Sequence, residues 1–325
     1  MTGAHLICTM LRQGFAVRAT RTLGEDTEYT KNILRLYTDD AEILYNEIDW
    51  VYVDYNDPDT LETALDGICS TICCITPKLG KNISIDDNVN IIHNIINAVK
   101  DSECKYFCYL SSVRALGDES DTTEITEKSQ RNPKGKYSKS SQAYYLCEME
   151  VWRAMQEGLN AGIINTAAIL GPGDWHNDRS KFLNDKMSKV YYTEGVTGLV
   201  SVNDLVKCIM TMVRKKISNE SFIVCADNIS YRDLQSYFQK HLGQKVSTRK
   251  AGWLRLCLWK IQYAIKSLIS GRRPFIDSDF FDELTQFSIY SNRKSLRKLI
   301  IQYEEVENSV KNICKYYKKS KEITK

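Results

Sequence analysis

The chain has 325 residues, of which 43% are hydrophobic and 26% charged, as in a soluble globular protein with one large domain or a domain and a smaller companion. The net charge of +3 is small for this length and no nucleic-acid-binding motif is present, so we expect no nucleic-acid partner. The 11 cysteines lie mostly in apolar runs, which predicts buried thiols rather than disulfides or a metal site. Without a recognisable signal peptide or membrane-spanning run, we expect a cytoplasmic location.

The first 170 residues alternate between helical and strand patterns. The segment from His5 to Gly14 predicts a helix, because its apolar residues recur at helical spacing, and Phe15 to Thr20 predicts a short strand. Further strands are predicted at 50–53, 70–75, 106–110 and 161–165, and further helices at 57–67, 86–99 and 144–158. This alternation predicts an α/β fold built on a doubly wound parallel sheet, although the first strand of the first βαβ unit is missing from the pattern.

The alternation weakens after residue 170. A strand near 198–202, a helix at 203–213 and a strand at 221–225 continue it, and from about Ser230 the pattern is mostly helical. An amphipathic segment in this part carries basic residues and one apolar stripe, formed by Leu254, Leu258, Ile261, Ile265 and Leu268. We expect this helix to pack on the domain or to cover an apolar substrate, and peripheral membrane contact is the alternative.

Six segments, taken in chain order, resemble the extended short-chain dehydrogenase/reductase family, in particular its NAD-dependent epimerase/dehydratase and dihydroflavonol-reductase-like members. They are GAHLICTMLRQGFAVRA, VDYNDPDTLETALDG, NVNIIHNIINAV, YLSSVRALG, EMEVWRAMQEGLNAGIINTAAILGPGDW and YYTEGVTGLVSVNDL. The resemblance covers nearly the whole chain and implies an incomplete Rossmann-like dinucleotide-binding domain at 1–170. It implies a smaller, mostly helical substrate-binding part at 171–325, with about 198–225 returning to the sheet.

The resemblance also implies a reaction. Intact relatives use NAD or NADP to reduce a carbonyl or to epimerise a hydroxyl-bearing carbon of a small-molecule substrate. We therefore expect an oxidoreductase or epimerase of this type, and a homodimer remains open.

The start of the chain departs from the family pattern. Relatives begin with a strand followed by a GxxGxxG turn, and Met1-Thr2-Gly3 fits only the end of that turn. The resemblance assigns Gly3 to the pyrophosphate site at the helix start. Our hypothesis is that the first strand and two glycines lie upstream of Met1, so that two neighbouring strands lose a ladder partner. The alternative is a true start with compensating structure.

Other cofactor positions match the family more closely. Arg21 stands where relatives that prefer NAD carry an acidic residue, so it favours the 2′-phosphate of NADP; the alternative is a surface arginine at a strand end. The resemblance places Asp54 at the adenine edge, and Ile75 and Thr76 in the loop along the cofactor. It assigns Asn165 to the same site. We expect NADP, with NAD as the alternative.

The catalytic pattern of the family, a serine followed by a tyrosine and a lysine four residues later, is only partly present. Ser112 matches the serine that orients the substrate carbonyl. Aligning residues 148–152 puts Ser140 at the tyrosine position and Tyr144 at the lysine position, and neither can do the family's chemistry. Tyr137, three residues before the expected place, is our candidate for proton transfer after a loop shift. The alternatives are an impaired relay or a non-catalytic, nucleotide-binding or scaffold descendant.

Overall fold

A computed structural model describes residues 1–79, 83–117, 124–173, 191–270 and 284–323. The chain forms two compact units, and it returns to the first unit twice after leaving it. The first unit contains residues 1–167, 202–224 and 291–302, and the second contains 168–201, 225–290 and 303–325.

The first unit contains a four-stranded parallel sheet in the order β3-β4-β5-β9. The central strands pair in register, with Ser112 opposite Thr166 at their carboxyl ends, and they are almost completely buried. Such apolar runs are expected of parallel strands covered on both faces. The four strands are β3 (Thr71–Cys73), β4 (Phe107–Ser112), β5 (Ala161–Thr166) and β9 (Glu220–Val224).

Two further parallel strands, β1 (Arg18–Arg21) and β2 (Asp49–Tyr52), form a separate small sheet in the same unit. In the described part of the chain β1 pairs only with β2, and β3 only with β4, so each has one strand neighbour, as predicted. Tyr55, which follows β2, hydrogen-bonds Thr20 and lies near Cys73 of β3, and burial raises the pKa of its phenol. This side chain therefore lies close to both sheets.

Helix boundaries in the first unit follow their caps. The predicted start of the helix at residue 144 is wrong: it begins at Lys139, because the Ser138 side chain accepts a hydrogen bond from the Ser141 amide. Two helices also form in the segment 24–47, where the sequence analysis predicts none. The helices are α1 (Thr2–Arg12), α2 (Glu28–Tyr37), α3 (Ala41–Asn46), α4 (Pro58–Leu65), α5 (Ile85–Asp101), α6 (Lys139–Gln156), α7 (Val202–Lys215) and α10 (Arg293–Leu299).

Two apolar clusters hold these layers together. One joins α1 to the small sheet through Cys8, Leu11, Val17, Ala19, Leu34 and Ile48. The other joins α5 and α6 to the larger sheet through Ile92, Ile96, Phe107, Tyr109, Val151 and Ile163. Most cysteines are buried thiols, as predicted, and burial raises the pKa of Cys73 to about 12.

The second unit contains a three-stranded sheet in the order β10-β8-β6 and a two-residue pairing of β7 with β11. The strand expected near 198–202 forms here as β8, because its neighbours are β6 on one side and the antiparallel β10 on the other. The strands are β6 (Ala168–Leu170), β7 (Tyr191–Tyr192), β8 (Val196–Ser201), β10 (Asp227–Ser230) and β11 (Arg249–Lys250), and the helices are α8 (Tyr231–Leu242), α9 (Trp253–Ser270) and α11 (Val306–Ile323). None of the described helices is long and apolar enough to cross a membrane.

Candidate functional site

The start of helix α1 is open on the side that the resemblance assigns to a cofactor. Within the described residues no side chain caps this helix, and a Cβ at Gly3 would meet no heavy atom within 4 Å. The amides of the helix start are therefore able to meet an anion.

The two arginines of β1 have different surroundings. Arg18 donates to the Asp49 carboxylate at 2.6 Å and to the Asp66 carbonyl at 2.7 Å, so it ties β1 to its neighbours. Arg21, at the carboxyl end of the strand, is exposed, and its guanidinium makes no hydrogen bond or ion pair with any residue that the structure describes. Its guanidinium is therefore available for an external anion.

The residue assigned to the adenine edge lies in the turn after β2. One carboxylate oxygen of Asp54 accepts a hydrogen bond from the Asn56 amide at 2.9 Å. The hydroxyl of Thr60 donates to the Asp54 carbonyl at 2.9 Å. The turn holds the exposed Asp54 side chain at the carboxyl end of its strand, although this geometry alone also suits a structural turn residue.

The loop after β3 is held by hydrogen bonds to the Asn88 side chain of α5. The Asn88 side chain accepts from the Lys78 amide at 2.7 Å and donates to the Lys78 carbonyl at 2.8 Å. Within this loop Ile75 packs partly on the core, while Thr76 is exposed. The loop after β3 is therefore held to α5 at Lys78, and the Thr76 side chain in it is exposed.

The predicted catalytic serine stands at the last position of β4. Its hydroxyl accepts a hydrogen bond from the Arg114 amide at 3.3 Å, which starts a short 3-10 turn at Val113–Ala115. The Arg114 guanidinium donates to the Ser140 hydroxyl at 3.2 Å. Ser112 and the residue at the family's tyrosine position are thus linked through one arginine.

Tyr137 is held by its own loop. Its hydroxyl accepts from the Asn132 amide at 2.8 Å, and the Arg131 guanidinium lies 4.0 Å from its ring centroid. Arg131 also donates to the Arg114 carbonyl at 3.3 Å. Among the described residues no hydrogen bond joins Tyr137 to Ser112, so the two are connected only through Arg131 and Arg114.

The sequence analysis missed a buried carboxylate that is bonded to β4 and β5. Glu148 of α6 accepts hydrogen bonds from Ser111 and Asn165, both at 2.6 Å, and from the Trp152 indole at 3.2 Å. Burial raises its pKa, and the hydrogen bonds partly offset that rise. The available signal was its spacing, since it lies three residues before the buried Val151 and therefore on the same side of α6.

Asn165 belongs to this buried network. Its side chain is fully buried on β5, and its amide nitrogen also lies 3.5 Å from the Ser112 carbonyl. Its own side-chain oxygen has no hydrogen-bond partner among the described residues. The contacts of this side chain are thus internal, and its assignment to the cofactor stays a prediction.

Parallel strands with an open helix start and an unpaired arginine at their carboxyl ends define an α/β protein of the Rossmann type. The chain belongs to the NAD dependent epimerase/dehydratase family, whose model matches residues 1–225. By family it is an NAD(P)-dependent oxidoreductase or epimerase of the extended short-chain type, which confirms the predicted family and fold class. In the described residues no three metal-binding side chains come together.

Individual relatives agree with this assignment. A "Putative dihydroflavonol 4-reductase" of Synechocystis sp. (strain ATCC 27184 / PCC 6803 / Kazusa) is 22% identical, over 97% of this chain and 91% of that protein. The crystal structure of gox2253 matches with a TM-score of 0.78 at 20% identity, over 98% of this chain and 96% of that one. Vestitone reductase from alfalfa (Medicago sativa L.) matches with a TM-score of 0.72 at 14% identity, over 98% and 96% of the two chains. The last two likenesses show the fold.

Proposed function

We propose that the protein binds NADP(H) in preference to NAD(H) and acts on a small molecule that carries a carbonyl or a hydroxyl group. The observation that carries the preference is Arg21, whose exposed guanidinium has no partner in the part that the structure describes. A 2′-phosphate at the end of β1 would gain a charge-assisted, bidentate contact with this guanidinium. The 2′-hydroxyl of NAD would gain much less.

The residues present fit such a dinucleotide. The open start of α1 at Gly3 would hold the pyrophosphate, because no side chain of the described residues fills that space. Asp54 would contact the adenine edge, and Ile75 and Thr76 would lie along the cofactor. When bound, the nicotinamide supplies or accepts the hydride.

Ser112 and Tyr137 are the groups that we assign to the reacting end. Ser112 would orient the substrate oxygen. Because the Tyr137 hydroxyl accepts from Asn132, its own proton remains available for a substrate oxygen. This role requires the Tyr137 loop to move toward Ser112, since Arg131 now stacks on its ring. Asn165 would support Ser112 from inside through the Ser112 carbonyl.

The second candidate is a nucleotide-binding protein without turnover. It is favoured by the serine at the family's tyrosine position, because the Ser140 hydroxyl is engaged by Arg114 and Tyr144 offers no cation. This candidate keeps the fold and the cofactor edge but no proton relay.

Titration of the purified chain with NADPH and NADH tests both candidates. We expect Arg21→Ala to weaken NADPH binding about tenfold or more and to leave NADH binding unchanged, because one charge-assisted contact contributes about 1.5–3 kcal/mol. Arg12→Ala, at the other end of α1, removes the same charge as a control. Turnover of aldehydes, ketones or nucleotide sugars supports the oxidoreductase, and tight NADPH binding without turnover supports the binding protein. Absence of NADPH binding contradicts both.

A further inference from the structure

Helix α9 of the second unit exposes the apolar stripe that the sequence analysis expected to be covered. Its described members are exposed by 72% at Leu254, 52% at Leu258, 54% at Ile261 and 49% at Ile265, and Trp253, just before the stripe, is exposed by 75%. The side chain of Leu268, the last predicted member, lies outside the described residues. The expectation of a packed stripe is therefore wrong for the described positions.

Another side of the same helix is buried. Trp259 is only 1% exposed and lies about 130° around the helix from the centre of the stripe. Helix α11 of the same unit shows the usual outcome, since its apolar residues Val306, Val310 and Ile313 are buried. A monomer rarely leaves a stripe such as that of α9 open to water, and such surfaces mark interaction sites.

The segment that carries the stripe has charges of one sign in the sequence, and one of its cations, Lys250, pairs with Glu194 outside the segment. From residue 245 to residue 270 the chain has six basic residues and no acidic residue, namely Lys245, Arg249, Lys250, Arg255, Lys260 and Lys266. By helical spacing Arg255 and Lys260 fall on opposite flanks of the stripe, and both are exposed. The Arg255 guanidinium lies 4.6 Å from the Tyr191 ring centroid, which holds that side chain at one flank.

We propose that α9 lies flat on an anionic lipid bilayer, with the stripe in the acyl boundary and the flanking cations among the headgroups. A helix that begins with tryptophan and carries an apolar stripe bordered by cations fits this interface. The absence of any acidic side chain over these 26 sequence positions favours an anionic lipid surface over a protein partner of mixed charge. The proposal is independent of the cofactor site.

Flotation of the full chain with vesicles tests this directly. The expected result is binding to vesicles of phosphatidylcholine with about one-third phosphatidylserine, little binding to phosphatidylcholine alone, and loss of binding at high salt. Leu258→Glu combined with Ile261→Glu should abolish binding. Lys260→Glu should weaken it about tenfold or more, because each basic residue near the surface contributes about 1 kcal/mol.

Ile43→Glu is the matched control, since Ile43 is also an exposed apolar residue but lies on α3 of the first unit. It should bind vesicles like the unchanged chain. Failure of the unchanged chain to float with anionic vesicles overturns the proposal. A second result also overturns it: the chain self-associates in sedimentation, Leu258→Glu disrupts this self-association, and no vesicle binding is seen. The stripe would then be a contact between copies. Circular dichroism confirms that each variant is folded.

Discussion

The cofactor side and the catalytic side of the first unit differ in where their polar groups point. On the cofactor side, the start of α1 at Gly3 is open and Arg21 is exposed without a partner among the described residues. On the catalytic side, Arg114 engages Ser140 and Asn132 engages Tyr137. Groups that would bind a nucleotide are thus available, whereas the side chains on the catalytic side already have hydrogen-bond partners within the protein.

Nucleotide binding and proton transfer therefore depend on separate residues of the fold. The parallel strands and the α1 start form the binding edge whatever residue occupies the tyrosine position. Substitutions in α6 can therefore change the chemistry without removing the cofactor site, and variants that act on one side only test whether the two sides are independent.

The largest effect is expected at Glu148, which accepts hydrogen bonds from Ser111 and Asn165 on the catalytic side. Glu148→Ala would leave the buried donors of Ser111 and Asn165 unpaired and open a cavity, so we expect a loss of about 3 kcal/mol in the free energy of unfolding. Urea denaturation measures it. Glu148→Gln keeps the volume and should cost less. Equal stability of the alanine variant and the unchanged chain would contradict the buried network.

The next effect concerns the missing relay. Ser140→Tyr combined with Tyr144→Lys would place a phenol and an amine one helical turn apart, so we expect turnover with NADPH to rise about 100-fold. Steady-state assays with an aldehyde panel measure this rise. Ser140→Tyr combined with Leu146→Lys is the control, because Leu146 is exposed on another face of α6. A double variant that binds NADPH as before and shows no gain would mean that the relay alone does not limit turnover.

The strands and their carboxyl ends could be predicted from the sequence, because buried parallel strands are short apolar runs with polar residues after them. The start of α6 could not be placed, since the run before Tyr144 is polar and the hydrogen bond from the Ser141 amide to the Ser138 side chain fixes it. The burial of Glu148 could not be predicted from EMEVW alone, because it depends on Ser111, a partner 37 positions away in the sequence. The stripe of α9 was visible, but periodicity does not say what covers an apolar face.

The environment of Tyr137 was also beyond sequence reasoning. The Arg131 guanidinium lies 4.0 Å from the Tyr137 ring centroid and 4.6 Å from that of Tyr145. These contacts depend on how a loop folds against a helix, and no local pattern specifies that. Spacing alone therefore identified Tyr137 as the nearest phenol without showing that it is already engaged.

A smaller effect separates the two arginines of β1. Arg18→Ala removes a partly exposed ion pair with Asp49 and a bond to the Asp66 carbonyl, so we expect a loss of about 1 kcal/mol in the free energy of unfolding. NADPH affinity should not change. Thermal denaturation and NADPH titration together check this. If Arg18→Ala weakened NADPH binding as much as Arg21→Ala, the assignment of Arg21 to the phosphate would fail.

The smallest expected effect is a pH dependence of stability from Glu148. Burial raises the pKa of this carboxyl above its ordinary value of 4.5, so above pH 4.5 the folded chain retains a proton that the unfolded chain has released. The contribution of Glu148 is therefore fully present below pH 4.5 and is lost as the pH rises through the folded-state pKa. Urea denaturation from pH 4 to pH 8 should show that stability falls less with pH in Glu148→Gln than in the unchanged chain. Parallel curves would mean that the hydrogen bonds from Ser111 and Asn165 cancel the effect of burial.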